Sequence, residues 1–166
     1  LPIAGKQVSI PLVQAGGIFA VMQVAGVVAR IFLGWIADRT GNATRNLAVQ
    51  GLVAAGAVIA LALLPADAPL PVLMLLCGLA GFVGASWNGI SLAEVARVSP
   101  PDRVGDVTSG TTLFIFLGYV AGPSVFSGLV TLTGGWMLPM LLVAAQLAVV
   151  SLLVGLRRRT GWTAGA

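Results

Sequence analysis

The sequence predicts an all-α membrane protein that crosses the bilayer with five transmembrane helices. Of its 166 residues, 58% are hydrophobic and 8% are charged, and the mean hydropathy is +1.02. A soluble domain carries about 25% charged residues, so this chain has too few to cover a water-facing surface. Five apolar segments also reach the length of about 20 residues that a spanning helix needs.

The helices are predicted from the apolar runs and from the polar segments that separate them, within one transmembrane domain covering 1–166. The runs lie at about 13–37, 47–64, 70–93, 107–130 and 136–156. The first break, at 38–46, holds three charged side chains that lipid excludes. Prolines mark the breaks at 65–69 and 97–106, and two glycines end the last break, at 131–135.

The distribution of arginine predicts the orientation of the helices. Arg39 and Arg45 lie in the first break, Arg97 and Arg103 lie in the third, and three arginines at 157–159 follow the fifth helix. All of these positions fall on one side of a path that alternates across the bilayer. Basic residues concentrate on the cytoplasmic side of membranes, so we expect an external N-terminus and a cytoplasmic C-terminus.

The composition also argues against several classes of function. The chain has no histidine and a single cysteine, Cys77, so we expect no disulfide, no Cys/His metal site and no cofactor. Its net charge of +4 comes from basic residues at the ends of apolar runs, which is typical of membrane flanks and not of a nucleic-acid surface. No acidic side chain falls in mid-membrane, so an enzyme active site is not expected.

Three predicted helices, the first, third and fourth, carry small and polar residues along one face, because side chains three and four positions apart share a face. The candidates for a substrate cavity on these helices are Gln23, Arg30, Trp87, Asn88, Ser91, Thr112 and Tyr119. Lipid disfavours polar groups, so we expect these faces to turn towards protein or a water-filled cavity, with the second and fifth helices facing lipid. Close packing of small residues is the alternative.

Arg30 is the most informative of these candidates. It lies eight positions before Asp38, which places it roughly 12 Å deeper in the bilayer at about 1.5 Å per residue. A guanidinium there can hold an anionic substrate, such as a carboxylate, by paired hydrogen bonds. Snorkelling towards the inner interface, or a structural bond to nearby charges, is the alternative. For Asn88, contact with a ligand and a helix–helix hydrogen bond both stay open, as do ligand contact and packing for Trp87 and Tyr119.

The first break resembles a loop motif of the major facilitator superfamily of secondary transporters. The chain reads Gly34-x-x-x-Asp38-Arg39-x-Gly41, and Arg45 follows after three uncharged residues. In that family the motif joins the second and third helices of each half, and the resemblance implies that it serves as a cytoplasmic gate. In the family a basic pair usually follows the glycine directly. Because that pair is missing here, this version is similar to the less strictly matching copy of the motif in the second half.

A second motif follows in the order found in that family. Glu94-x-x-Arg97, followed by Arg103, resembles the loop after the fourth helix of a half. The resemblance implies that these three charges complete the gate cluster.

The fourth predicted helix carries Gly118-x-x-x-Gly122-Pro123, which resembles the glycine-proline motif of the family's fifth helix. Small residues allow close packing of membrane helices, and a proline allows a kink. The stretch from Trp87 to Pro123 is also similar to bacterial permeases of this superfamily, which implies a bacterial inner membrane as the location.

The resemblance implies most of one six-helix half, which in this family consists of two inverted three-helix repeats. The five helices then correspond to the second to sixth, and we favour the C-terminal half, helices eight to twelve, over the N-terminal half. The implied partners are the other half of the same transporter, the lipid bilayer and a small-molecule substrate. The implied function is secondary active transport of a small organic solute, with a slight preference for an anion because of Arg30. A drug or metabolite efflux antiporter and a non-transporting scaffold or sensor are the alternatives.

Overall fold

The computed structural model describes residues 2–3, 6–7, 11–65 and 67–157. These residues form five long helices, which we number α1 (Leu12–Thr40), α2 (Ala43–Ala62), α3 (Leu70–Val98), α4 (Val104–Thr133) and α5 (Met137–Arg157). Each helix is long and apolar enough to cross a membrane, which confirms the predicted all-α membrane fold. A pair of two-residue antiparallel strands, β1 (Pro2–Ile3) and β2 (Lys6–Gln7), precedes the helices. The predicted inner-side arginines at 158–159 lie outside the described residues.

The first predicted break is wrong in extent, because α1 and α2 both continue into it. Asp38 and Arg39 lie in the last turn of α1, and Arg45 lies in the first turn of α2. The helices extend past the apolar core because each turn satisfies its own backbone hydrogen bonds. The turn itself is confined to Gly41, whose φ of 60° ends α1, and to Asn42, whose side chain accepts a hydrogen bond from the backbone N–H of Arg45 at 3.1 Å.

The third predicted helix, given as about 70–93, ends too early, because α3 continues to Val98. Glu94 and Arg97 therefore lie on the last turns of a helix, where their ion pair at spacing i, i+3 supports the helical conformation. The helix ends at Val98, and Ser99 is extended because it precedes Pro100.

Small residues bring α1 and α3 into backbone contact. A Cβ built on Gly81 would lie 2.6 Å from the backbone oxygen of Met22, and one built on Gly26 would lie 2.8 Å from the Cβ of Ala85. Residues without side chains allow membrane helices to approach this closely and so to gain van der Waals contact. The α1–α3 pair is the most extensive helix contact in the described structure.

The second helix packs between α3 and α5. Its buried face carries Gln50, and the Ser86 hydroxyl of α3 donates a hydrogen bond to the Gln50 Oε1 at 3.0 Å. On the side of α5, a Cβ built on Gly51 would lie 1.9 Å from the Ser151 Oγ. The opposite face of α2 carries large exposed apolar side chains, so one helix presents a polar, small-residue face to protein and an apolar face outwards.

The bond between Gln50 and Ser86 is expected to stabilise the bundle. Both residues are buried, and the Gln50 Nε2 already has no partner among the described residues. Ser86→Ala would leave both ends of the Gln50 amide unpaired, and we expect it to lower the free energy of unfolding by about 1–3 kcal/mol. Thermal unfolding in detergent, followed by circular dichroism, measures this. The double variant Gln50→Leu/Ser86→Ala should recover most of the loss, and a double variant less stable than the single one would contradict this role.

The fourth helix is attached to the bundle by few side chains. None of the residues of α4, which is described throughout, is buried. The amide of Asn88 in α3 bonds to the hydroxyl of Tyr119 in α4, and the rings of Phe126 and Trp136 lie 5.7 Å apart at the α4–α5 turn. The position of α4 therefore depends on these contacts more than on apolar burial within the bundle.

Candidate functional site

A cavity of about 700 Å³ lies between α1 and α3. Seven of the residues predicted for the substrate cavity or the gate line it: Arg30, Gly34, Asp38, Gly41, Asn88, Glu94 and Arg97. The close α1–α3 contact at Gly26 and Gly81 brings these side chains together from the two helices. The structure therefore joins part of the predicted substrate cavity and part of the predicted gate in one space.

Arg30 and Asn88 lie at the same depth on their helices. Each is ten residues before the end of its helix, which is Thr40 for α1 and Val98 for α3. At 1.5 Å per residue, this is about 15 Å from the helix end. A hydrocarbon core is about 30 Å thick, so in a helix that crosses it both side chains lie inside its thickness.

The guanidinium of Arg30 is oriented by the backbone of α3. Its Nε donates a hydrogen bond to the backbone oxygen of Ala85 at 3.1 Å. The contact is possible because Gly26, one turn earlier in α1, lies directly against Ala85. A guanidinium has five N–H donors, and within the described part of the chain this is its one hydrogen bond and it forms no ion pair. Arg30 is thus positioned in the cavity with donors left for a ligand.

Asn88 links α3 to α4. Its Nδ2 donates to the hydroxyl oxygen of Tyr119, and its Oδ1 is buried without a hydrogen-bond partner in the described structure. The Ser91 hydroxyl donates to the backbone oxygen of Asn88 at 3.0 Å. The amide is therefore half satisfied.

Glu94 and Arg97, which line the cavity from the last turns of α3, form an ion pair. The Arg97 Nε donates to the Glu94 Oε2 at 2.8 Å, and its second donor lies 2.6 Å from Oε1. A two-bond pair of this kind fixes both side chains. Arg97 therefore pairs with Glu94 of its own helix, and in the described structure it forms no ion pair with Asp38.

The remaining gate charges are not joined into one network. Asp38 lines the cavity, and its carboxylate forms no hydrogen bond or ion pair with a described residue. Arg39 lies over the ring of Trp35, 5.2 Å from its centroid. Arg103 lies 3.9 Å from the Asp102 carboxylate, and both side chains are exposed. In this conformation, Asp38 faces the cavity unpaired.

Five predicted cavity residues do not line this cavity. Gln23 is exposed on α1 and does not line the cavity. Trp87 and Ser91 line a second cavity of about 560 Å³ between α2, α3 and α5. The Thr112 hydroxyl donates to the backbone oxygen of Thr108 in its own helix at 2.8 Å. Tyr119 does not line the first cavity, but it is bonded to Asn88, which does.

The glycine-proline motif of α4 faces open space. A Cβ built on Gly118 or Gly122 would meet no atom within 4 Å. Pro123 lies inside the continuous helix. No described helix packs against these two glycines.

Two residues of the cavity wall, Ser86 and Ala85, were not predicted from the sequence. Ser86 lines the cavity and is buried, but a serine in a run of small residues gives no sign of which neighbour it faces. Ala85 acts through its backbone oxygen, which any residue type would supply. Both could be found from the sequence only if the rotation of α3 against α1 and α2 were already known.

A comparison with known families accounts for almost the whole chain. The family model of the Major Facilitator Superfamily matches residues 1–163. No curated protein and no solved structure matches the chain. The matched segment includes all five helices and the cavity between α1 and α3.

Proposed function

The chain belongs to the major facilitator superfamily, a family of transporters, and we propose that it moves a small organic solute across the membrane by alternating access. The cavity of about 700 Å³, with Arg30 and Asn88 at one depth, is the observation that carries this proposal. Ionisable residues within the membrane are costly and commonly mark substrate pathways. The free donors of Arg30 favour an anion, and a carboxylate matches their paired geometry.

Alternating access requires a second bundle against the same cavity. In transporters built from repeats, the substrate site lies near the midplane between bundles that rock around it. The exposed polar side chains Gln23 and Arg30 of α1, and the absence of any buried residue in α4, support a partner bundle on this side. The other half of the same transporter is the partner that we propose.

Transport is tested directly with this chain and its proposed other half reconstituted together into liposomes. Uptake of radiolabelled small carboxylates is compared with uptake of neutral and cationic solutes of similar size, and protein-free liposomes give the background. We expect uptake of at least one carboxylate above background. A folded protein that accumulates none of the three classes would contradict transport and favour a scaffold or sensor.

Asp38 is the proposed gate residue, since it faces the cavity and is free to pair in the alternative conformation. Asp38→Asn is expected to lower the initial uptake rate about tenfold or more, the effect of one charge-assisted hydrogen bond, while membrane insertion is unchanged. Rates are measured in liposomes and normalised to inserted protein. Asp67→Asn, at the opposite end of the helices, is the matched control. Equal rates for Asp38→Asn and the wild type would refute the gate.

The proposed orientation places Thr44 in the cytoplasm and Asp67 outside. In a Cys77→Ala background, we expect Thr44→Cys to be labelled by a membrane-impermeant maleimide only after the cells are opened, because the arginine-bearing turns face the cytoplasm. Asp67→Cys should be labelled in intact cells. Asp102→Cys, in the turn between α3 and α4, should behave like Thr44→Cys. Labelling of Thr44→Cys and Asp67→Cys from the same side would exclude the five-span arrangement.

A further inference from the structure

Asn88 has hydrogen-bonding capacity that the bundle does not use. Its Nδ2 is bonded to Tyr119, and its Oδ1 is buried without a partner among the residues that the structure describes. A buried polar atom without a partner destabilises the protein. One side of the amide is therefore available to a further partner.

Arg30 lies within one helical turn of that amide. Its Nε is bonded to the backbone oxygen of Ala85. Ala85 and Asn88 are three positions apart, so they share one face of α3 and are separated by about 4.5 Å along its axis. Both side chains line the same cavity. A small ligand touches both only if its two polar groups are adjacent.

We propose that the cavity recognises a carboxylate that bears a hydroxyl on the neighbouring carbon. Arg30 binds the carboxylate and the Asn88 amide binds the hydroxyl, which makes Asn88 the residue that determines specificity. This inference rests on the proposed function, in which Arg30 is the anion anchor. A hydroxyl both donates and accepts, so it pairs with either atom of the amide. Rotation about the broad terminal torsion of asparagine turns the amide towards the cavity.

The bond to Tyr119 sets up a competition for the same amide. Tyr119 is 51% exposed and belongs to a helix without a buried residue, so this bond holds a lightly packed element. A solute hydroxyl would displace the phenol from Asn88. Removal of the Tyr119 hydroxyl should therefore raise the affinity for the hydroxy acid. If Asn88 served only to hold α4, the same change would remove the bond through which Asn88 acts.

Two pairs of acids that differ by one hydroxyl test the proposal: glycolate against acetate, and malate against succinate. Binding is measured by isothermal titration calorimetry in lipid nanodiscs that hold this chain together with its proposed other half. We expect the hydroxy acid of each pair to bind about tenfold more tightly, the effect of one hydrogen bond. Equal binding within both pairs, with binding lost in Arg30→Gln, would overturn the role of Asn88 and leave the anion anchor standing. No binding of any of the four acids would overturn both.

Two variants separate recognition from a structural role. Asn88→Leu should bind both members of each pair equally, and Tyr119→Phe should increase the preference for the hydroxy acid. If Tyr119→Phe instead abolishes the preference, Asn88 acts only by holding α4 and the proposal is overturned. Tyr119→Phe retains the ring and removes one oxygen, so this comparison stands even if Asn88→Leu fails to fold.

Discussion

Gly81→Val is expected to yield little or no folded protein. The Cβ alone would lie 2.6 Å from the backbone oxygen of Met22 and 2.9 Å from its Cα. These are backbone atoms, so they cannot turn aside as the end of a flexible side chain would, and α1 and α3 must separate. Overpacking of a tight contact costs about 1–3 kcal/mol, and more where a backbone has to move. The yield of monodisperse protein after detergent extraction, and its unfolding temperature, measure the effect.

Alanine variants of two glycines in α3 provide the control. Gly81→Ala carries the same backbone clash without the bulk of valine, whereas a Cβ on Gly84 would meet no atom within 4 Å. Both changes improve helix propensity equally, so any difference between them reports the α1–α3 contact. We expect Gly84→Ala to fold normally and Gly81→Ala to be destabilised. Equal stability of the two variants would contradict the close approach of the helices.

Arg30→Gln is expected to have the largest effect on transport of a folded variant. The guanidinium lines the cavity, and its loss removes charge-assisted hydrogen bonds worth about 1.5–3 kcal/mol. This corresponds to a loss of affinity for a carboxylate of about 10- to 150-fold. Direct binding measurements are needed as well as uptake, because they separate a loss of affinity for the carboxylate from a slower transport step.

Arg30→Lys distinguishes charge from geometry. Lysine keeps the positive charge but presents one ammonium in place of the planar fork, and it cannot reproduce both the bond to Ala85 and a paired contact to a carboxylate. We expect its affinity to fall between those of the wild type and Arg30→Gln. Unchanged carboxylate affinity in both variants would show that Arg30 serves only its bond to the backbone of α3.

The spans of this fold were predictable because lipid imposes a simple requirement. Each helix must be apolar over the thickness of the core, and the charged turn that contains Asp38 and Arg39 interrupts the apolar run. The ends of the helices were less predictable, because hydropathy marks the edge of lipid and not the end of backbone hydrogen bonding. Glu94 and Arg97 show the difference, since they are charged and still helical.

The candidate site was predictable in part. Arg30 and Asn88 stand out as polar residues within apolar runs, and both line one cavity. Their partners could not be predicted, because the Ala85 oxygen is a backbone atom and the bond to Tyr119 depends on how α4 lies against α3. The buried face of α2, with Gln50, likewise depends on which helices pack together. Sequence spacing gives the faces of single helices but not the pairing of those faces.

The pairing of helices that are distant along the chain has a consequence for synthesis. Gly51 of α2 packs against Ser151 of α5, which is 100 residues later in the chain. Ribosomes add about 5–20 residues per second, so α2 reaches the translocon about 5–20 s before its partner does. During that interval the nascent chain carries a small-residue face on α2 that α5 covers in the finished bundle.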